Sequence, residues 1–466
     1  MTEFELPSSS DGNDVVAVRA SSLGLGRAFG LGFASLGMGA GLIATPAGTM
    51  VAGNGAWLVF IVSVVIIACL VVAVSAFARR YVVTGSLMSY LGDAFGAIPR
   101  TIAGAALLVA YTLFCSISLI YPLTFAQGFL LDLHRHWLDD SSGRILFFVT
   151  VAMLLGYISH RGASASARSA IALTVLSLPL VLVLFIAVIM KNGIAVHEQI
   201  TLHGGSSVTA IIAGVVIFAG TYVGFEGFTA LAAETKDPIR NIPTILVGLL
   251  ATIAVGYFFA TIIATPVLLQ HASQIAAGDS PSAVLADASD VSWLKTPLDF
   301  ALVLNLMAGL VPLLNDGSRV IATAARDGML PMWVGRIDPH RRIPARALWL
   351  LVAIIMMVAV AAEVFAHAAP LKIVFALTPA VFFLWMIPYM GMCLGLIALC
   401  KRRSRPYGMQ SLAGAVGFLL IAFLFCYQIS HPASGLEQAS SAIALTLFAI
   451  VCVVTFIRHR RFIGRY

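Results

Sequence analysis

One carboxylate in this chain lies deep inside an apolar stretch. Glu226 sits in IFAGTYVGFEGF, beside Phe225 and among Gly220, Gly224 and Gly227, with Phe218, Tyr222 and Val223 just upstream. A charged group at bilayer depth costs at least about 2.5–3.5 kcal/mol, so it is usually functional, paired or protonated. Two roles stay open for Glu226: coupling, as proton carrier or conformational latch, or a neutral hydrogen bond across a break in its helix. A second stretch, SLGMGAGLIATPAG, alternates Gly37, Gly39 and Gly41, with Pro46 shortly after. Glycine costs about 1 kcal/mol against alanine inside a helix, so such clusters need a reason. Close packing through small residues is one. Unwinding is the other, because a broken helix presents free N–H groups at the positive end of a half-helix to an anion, and free carbonyls to a cation. The pair of features suits a zwitterion.

The elements that must hold these residues are membrane spans. Of 466 residues, 60% are apolar and 11% charged, against about 25% charged in soluble domains. That excludes a water-soluble fold, and with it a basic module for nucleic acid. Apolar runs of spanning length fall at 27–50, 55–77, 101–127, 144–159, 168–190, 209–231, 243–269, 297–318, 347–365, 371–399, 411–429 and 440–457, so twelve spans are expected. Residues 1–26 read as a cytoplasmic tail, 27–399 as a transport core and 400–466 as two further helices with a cytoplasmic C-terminus. The stretch 78–100 reads as an interfacial or partly re-entrant helix, and 270–296 as an outer connection with a short surface helix.

Basic residues set the orientation, since short loops rich in them stay in the cytoplasm. With the N-terminus inside, 23 of the 28 Lys and Arg fall on the inner side and five on the outer. Both termini are therefore expected in the cytoplasm of a multi-pass protein of the inner (plasma) membrane. The six cysteines lie in or beside apolar runs without C-x-x-C spacing and read as packing residues. His134 and His136 lack the companions of a metal site. No metal or cofactor is expected.

Spans one and six, both glycine-interrupted, hold matching positions if spans 1–5 and 6–10 are two halves. Matched interruptions point to a transporter site built on an inverted repeat. A membrane-embedded transferase is the alternative, but it calls for clustered His, Asp and Glu near one face, which the sequence lacks. A channel calls for a continuous polar stripe, and no span carries one.

Four segments resemble the amino acid–polyamine–organocation (APC) superfamily of permeases. Gly39-Ala40-Gly41-Leu42-Ile43 resembles its G-S/A-G-I-F on the first helix, with Ile43 replacing the aromatic. Gly224-Phe225-Glu226 and the ETKDPIRNIP run from Glu234 to Pro243 resemble the signature that ends helix six. Ser318-Arg319, Ala325 to Pro331 (ARDGMLP) and Ile343-Pro344-Ala345-Arg346 resemble the loop after helix eight. Thr84 to Tyr90 before Phe95-Gly96 is similar, in degraded form, to the segment before helix three.

The resemblance implies an all-α, leucine-transporter-type fold of twelve transmembrane helices, with a 5+5 inverted repeat and two peripheral helices. It implies a permease for amino acids or related amines, alternating access around helices 1 and 6, by proton symport or substrate exchange. A substrate carboxylate would meet the Ala40 and Gly41 amides, and its amine carbonyls near Gly37, Gly220 and Val223. Where many members place a gating aromatic on helix six this chain has Gly220, so either Phe218 or Tyr222 takes over or the site is roomier. Ser177 falls where some relatives have a switchable lysine, and Asn305 is the mid-span polar group of a helix eight without the hydroxyls sodium prefers. Tyr111 on helix three either hydrogen-bonds substrate or packs at a helix crossing. Arg319, Arg326 and Asp327 either pair with Glu234 and Asp237 as an inner gate or are solvated topology charges. Trp385 either lines an outer vestibule or packs between neighbours.

Overall fold

The computed structural model describes residues 23–200, 206–366, 368–401, 408–431 and 435–463. The expected tail lies outside them up to Ser22, as do Arg402, Arg403 and Arg405 of the basic cluster. In chain order the helices are α1 (Leu25–Ser35), α2 (Met38–Thr49), α3 (Ala56–Ala78), α4 (Ser86–Phe95), α5 (Ala97–Ile120), α6 (Pro122–Asp132), α7 (Ser141–His160), α8 (Ala163–Asn192) and α9 (Val196–Ile200). They continue with α10 (Val208–Tyr222), α11 (Pro238–Gln270), α12 (Ala272–Ala277), α13 (Pro281–Ala288), α14 (Lys295–Arg326), α15 (Ala345–Ala366), α16 (Pro370–Lys401), α17 (Gly408–Ser430) and α18 (Gly435–Ile463). Short 3₁₀ turns cover Met50–Gly55, Gly227–Glu234 and Ser292–Leu294. Among the described residues the one β-type contact is an isolated bridge between Leu23 and Thr235.

The α3 sequence AWLVFIVSVVIIACLVVAVSAFA is rich in Val and Ile, which favour strands in water. It is helical throughout, because a chain in lipid must satisfy its own backbone groups and a lone apolar segment does so only as a helix. Ten helical stretches among the described residues are long and apolar enough to cross a membrane. The expected twelve runs correspond as follows. The stretch Leu25–Ala78 contains the first two runs, divided by non-helical Gly53, with a further break inside the first run. The sixth is only a short apolar helix, Val208–Ala219, because its continuous winding stops at Tyr222. Burial grades the helices. In the apolar windows of α5, α14 and α16, 72–78% of residues are buried, against 22% in α17 and 17% in α18. The last two helices therefore coat the bundle.

The two long connections compare with expectation as follows. The 78–100 stretch contains α4, a ten-residue helix buried around most of its surface from Ser86 to Gly92, which disfavours the interfacial alternative and leaves the partly re-entrant one. In 270–296, α12 is the expected short surface helix, with Ile275 its one buried residue, while α13 buries Pro281, Ser282, Val284, Leu285 and Ala286 and packs into the bundle. Of the cysteines, Cys69, Cys115, Cys393 and Cys400 are buried, while Cys426 is exposed and Cys452 partly so.

Candidate functional site

The first break falls between α1 and α2. Gly37 has φ 54° and ψ 47°, the left-handed conformation that glycine adopts without strain. As N-cap of α2 it leaves the first N–H groups of that helix without intrahelical partners. The Ala40 N–H donates to Asn305 Oδ1 at 3.1 Å, and the Gly41 N–H to the Gly37 carbonyl at 2.8 Å. Asn305 Nδ2 is buried without a hydrogen-bond partner. The glycines after the break allow close approach: a Cβ on Gly39 would collide with Ser177, and one on Gly41 with the ring and hydroxyl of Tyr257. Ser177 is thus held directly against the first break, its hydroxyl donating to the Thr174 carbonyl at 2.9 Å.

The second break follows α10. The helix winds through Gly220 to Tyr222, so the expected unwinding at Gly220 is displaced toward the C-terminus. Val223 is extended (φ −55°, ψ 147°), and Gly224, at φ 82°, is the glycine whose left-handed backbone turns the chain.

Between the breaks lies a cavity of about 110 Å³. Leu36, Gly37, Gly41 and Thr45 form one wall, Phe218 and Ile217 another, and Phe114, Ser118 and Tyr121 a third. Tyr257, Leu306, Leu313, Phe375 and Thr378 close the remainder, and no Asp, Glu, Lys or Arg is among the lining residues. The hydroxyls of Ser35, Ser118 and Thr378 donate to carbonyls of their own helices. Tyr121, at the joint where Pro122 interrupts the α5 ladder, has a buried hydroxyl with no partner. Such a group carries a desolvation cost of about 1–3 kcal/mol until something bonds it. A neutral ligand with a polar end can therefore be held by backbone and hydroxyl groups, its apolar part among aromatic and aliphatic side chains.

Beside the second break is a buried polar cluster. Trp385 Nε1 donates to Glu226 Oε1 at 2.8 Å and the Tyr389 hydroxyl to Oε2 at 2.8 Å, with Glu226 fully buried. Glu226 thereby ties the unwound segment to α16. Trp385 is 0% exposed and lines no vestibule. Tyr111 packs against it with tilted rings, centroids 4.9 Å apart, and a Cβ on Gly227 would lie 2.9 Å from the Tyr111 hydroxyl and 2.7 Å from Asp316 Oδ2. Phe225 packs against the ring of Tyr389. Further along, Arg319 Nε and Nη2 both donate to Glu234 Oε1, at 2.8 and 2.5 Å, in a buried pair. Arg319 Nη1 also bonds the Asn315 carbonyl at 2.8 Å. Ser86 and Thr229 hydroxyls lie 3.2 Å apart. The Leu23 N–H donates to the Glu234 carbonyl, and the Lys236 N–H to the Leu23 carbonyl, at 3.0 and 2.9 Å.

The structure therefore brings Gly37, Gly41 and Phe218 to the cavity wall, with Gly39, Ala40, Asn305 and Ser177 immediately behind it. Tyr222 and Val223 are buried but line no part of the cavity, and Tyr111 belongs to the Glu226 cluster. The Arg319–Glu234 pair forms as the inner-gate reading expects, whereas Asp237 heads α11 with a left-handed backbone and Asp327 pairs with Arg100 at 3.4 Å. Sequence reasoning did not find Tyr121, Tyr257, Tyr389 or Asp316. The signal for Tyr389 was present, since residues 385 and 389 fall on one helical face, four apart.

A sequence profile of the amino acid permease family matches residues 23–456. The branched-chain amino acid permease BcaP of Bacillus subtilis is 26% identical over 340 residues, 70% of each chain. BcaP of Lactococcus lactis is 27% identical over 365 residues, covering 73% of this chain and 75% of the relative. Cationic amino acid transporter 1 of Arabidopsis thaliana is 25% identical over 288 residues, 62% of this chain and 47% of the relative. These are transporters and not enzymes, which removes the transferase alternative and leaves amino acid transport across a membrane as the activity. With the family's profile running through both breaks and the cavity between them, the chain belongs to the amino acid permeases of the APC superfamily.

Proposed function

We propose that this protein is a secondary active permease of the inner membrane for small neutral amino acids with apolar side chains, working by alternating access around its two broken helices. The observation that carries the reading is the cavity: two helix breaks flank it, and no charged side chain lines it. The substrate's charged ends then fall to the N-terminus of α2, Asn305 and the Tyr121 hydroxyl, and its side chain to Phe114, Phe218, Leu306, Leu313 and Phe375. The similarity to branched-chain permeases supports this choice over a cationic substrate, which would need a carboxylate in the wall to compensate its side-chain charge.

The architecture is read as two inverted halves of five crossings. The first half is α1–α2, α3, α5–α6, α7 and α8; the second is α10 with its 3₁₀ extension, α11, α14, α15 and α16. Each half carries a short buried element between its second and third crossings, α4 in one and α13 in the other. That correspondence, with the matched breaks, supports the repeat. Both termini and the Arg319–Glu234 latch then lie in the cytoplasm. Coupling is by proton symport or substrate exchange, with Glu226 as latch.

Reconstituted protein is expected to exchange labelled leucine, isoleucine, valine or methionine against the same unlabelled amino acids, or to accumulate them in empty vesicles under an inward proton gradient. Labelled arginine is expected not to enter. Uptake of arginine in preference to leucine would refute the substrate assignment.

A further inference from the structure

We propose that Asp316 is the proton-carrying residue of the inner gate: it is protonated while the gate is closed, and it gives its proton to cytoplasmic water as Arg319 leaves Glu234 and pairs with it. Asp316 is 2% exposed, within α14 and ahead of its last turns. Its Oδ2 faces the bare Cα of Gly227, at the foot of the second break, and its Oδ1 is buried with no hydrogen-bond partner. The groups that face it are Tyr111 and Cys115 from α5, Glu226 and Glu234 from the unwound segment, and Arg319 from its own helix. Glu234 and Asp316 thus both lie within electrostatic reach of one buried guanidinium, and both of its bonds to a carboxylate go to Glu234.

An unpaired charge in such a place costs several kcal/mol, so the cluster sheds charge by binding a proton. Each oxygen of Glu226 accepts a hydrogen bond from a neutral donor, so its polar atoms are satisfied where they stand. Asp316 has no donor on Oδ1, and a neutral acid there is the less costly state. Arg319 lies three residues along the same helix, within side-chain reach. When the segment carrying Gly227 and Glu234 moves away, Asp316 meets water and a freed guanidinium together. Its O–H bond breaks, water takes the proton, and the carboxylate replaces Glu234 as partner of Arg319. Opening therefore releases one proton and is favoured as cytoplasmic pH rises, by up to about tenfold per pH unit, the limit for one proton.

The transport arm of the test rests on the permease reading, and the spectroscopic arm does not. Infrared spectra of purified protein in lipid are expected to contain a protonated-carboxyl band that Asp316→Asn removes and Glu226→Gln retains. Glu234→Gln, which frees Arg319 to hold Asp316 ionised, is expected to weaken the same band. In exchange assays at equal pH on both sides, wild-type rates should rise with pH, Asp316→Asn should be flat at the low-pH rate, and Glu234→Gln should shift the rise to lower pH. A band unchanged in Asp316→Asn, or superimposable pH profiles for wild type and both variants, would overturn the assignment. Absence of any amino acid exchange by wild type would count against the permease reading alone, and the infrared result would still decide the fate of Asp316.

Discussion

Gly39→Ala isolates the packing at the first break. The substitution keeps the backbone N–H, so any loss reports on space and not on a missing donor. A Cβ at this position would meet Ser177 Oγ at a forbidden distance, Ser177 Cβ at 3.0 Å and Asn305 Cγ at 3.3 Å. Overpacking of this kind costs about 1–3 kcal/mol, so exchange by Gly39→Ala should fall roughly five- to 150-fold if the strain is borne by the transporting states. The obstructing atoms belong to Ser177, which makes the cost removable. Ser177→Gly deletes both atoms and alone should cost about 1 kcal/mol, the glycine penalty in a helix. The double variant Gly39→Ala/Ser177→Gly should then behave like Ser177→Gly, with a coupling energy that cancels most of the Gly39→Ala loss. The assay is leucine exchange in proteoliposomes at equal protein incorporation, with thermal unfolding alongside. A double variant as impaired as the product of its parents would refute the claim that α2 and α8 meet through this pair.

Two further expectations follow from orphaned or paired hydroxyls. Tyr121→Phe removes a buried hydroxyl with no partner, so thermal stability should hold or rise while KM for the transported amino acid increases about two- to tenfold, the value of one hydrogen bond; an unchanged KM would remove Tyr121 from the site. Tyr389→Phe deletes one of the two donors to Glu226, worth about 1.5–3 kcal/mol when the acceptor is charged. The closed state should lose at least about tenfold in population, read as faster modification of buried Cys115 by a cytoplasmic-side thiol reagent and located by mass spectrometry; wild-type labelling kinetics would show that Glu226 is no latch.

The sequence displays its membrane spans because each must be a run of apolar residues, and it displays the two breaks because glycine clusters are costly in helices. Gly37 and Glu226 were legible for those reasons. The position of the second break was not, since Gly220 and Gly224 look alike on paper and only tertiary contacts choose Gly224 as the one with positive φ. Asp316 was hidden for a different reason. It lies near the end of the apolar run, where a carboxylate reads as interfacial, yet α14 continues helically to Arg326 and keeps it buried. The hydroxyl of Tyr121 illustrates a third limit, because a tyrosine at a span end is ordinarily an interface anchor and only the neighbouring helices turn it into a cavity wall.

The buried contacts on one segment explain why the inner side opens as a unit. Residues 226–236 are tied to α16 through Glu226, to α4 through Thr229, to α14 through Glu234, and to the chain before α1 through the backbone of Glu234 and Lys236. Each tie alone is worth only about 1–3 kcal/mol, so any single one would break often and leave the side leaky. Because the segment joins α10 to α11 through extended or left-handed residues at both ends, Val223–Gly224 and Asp237, it can swing as one body, and the ties must then be lost together. Their sum exceeds what a small ligand with one or two polar contacts can offset by binding alone. A partner exchange within the latch, in which Arg319 moves from Glu234 to Asp316 while its charge stays compensated, lowers the cost of opening without requiring that every tie be weak. That is the physical reason to expect a second carboxylate beside the gate arginine, and α14 supplies one three residues away.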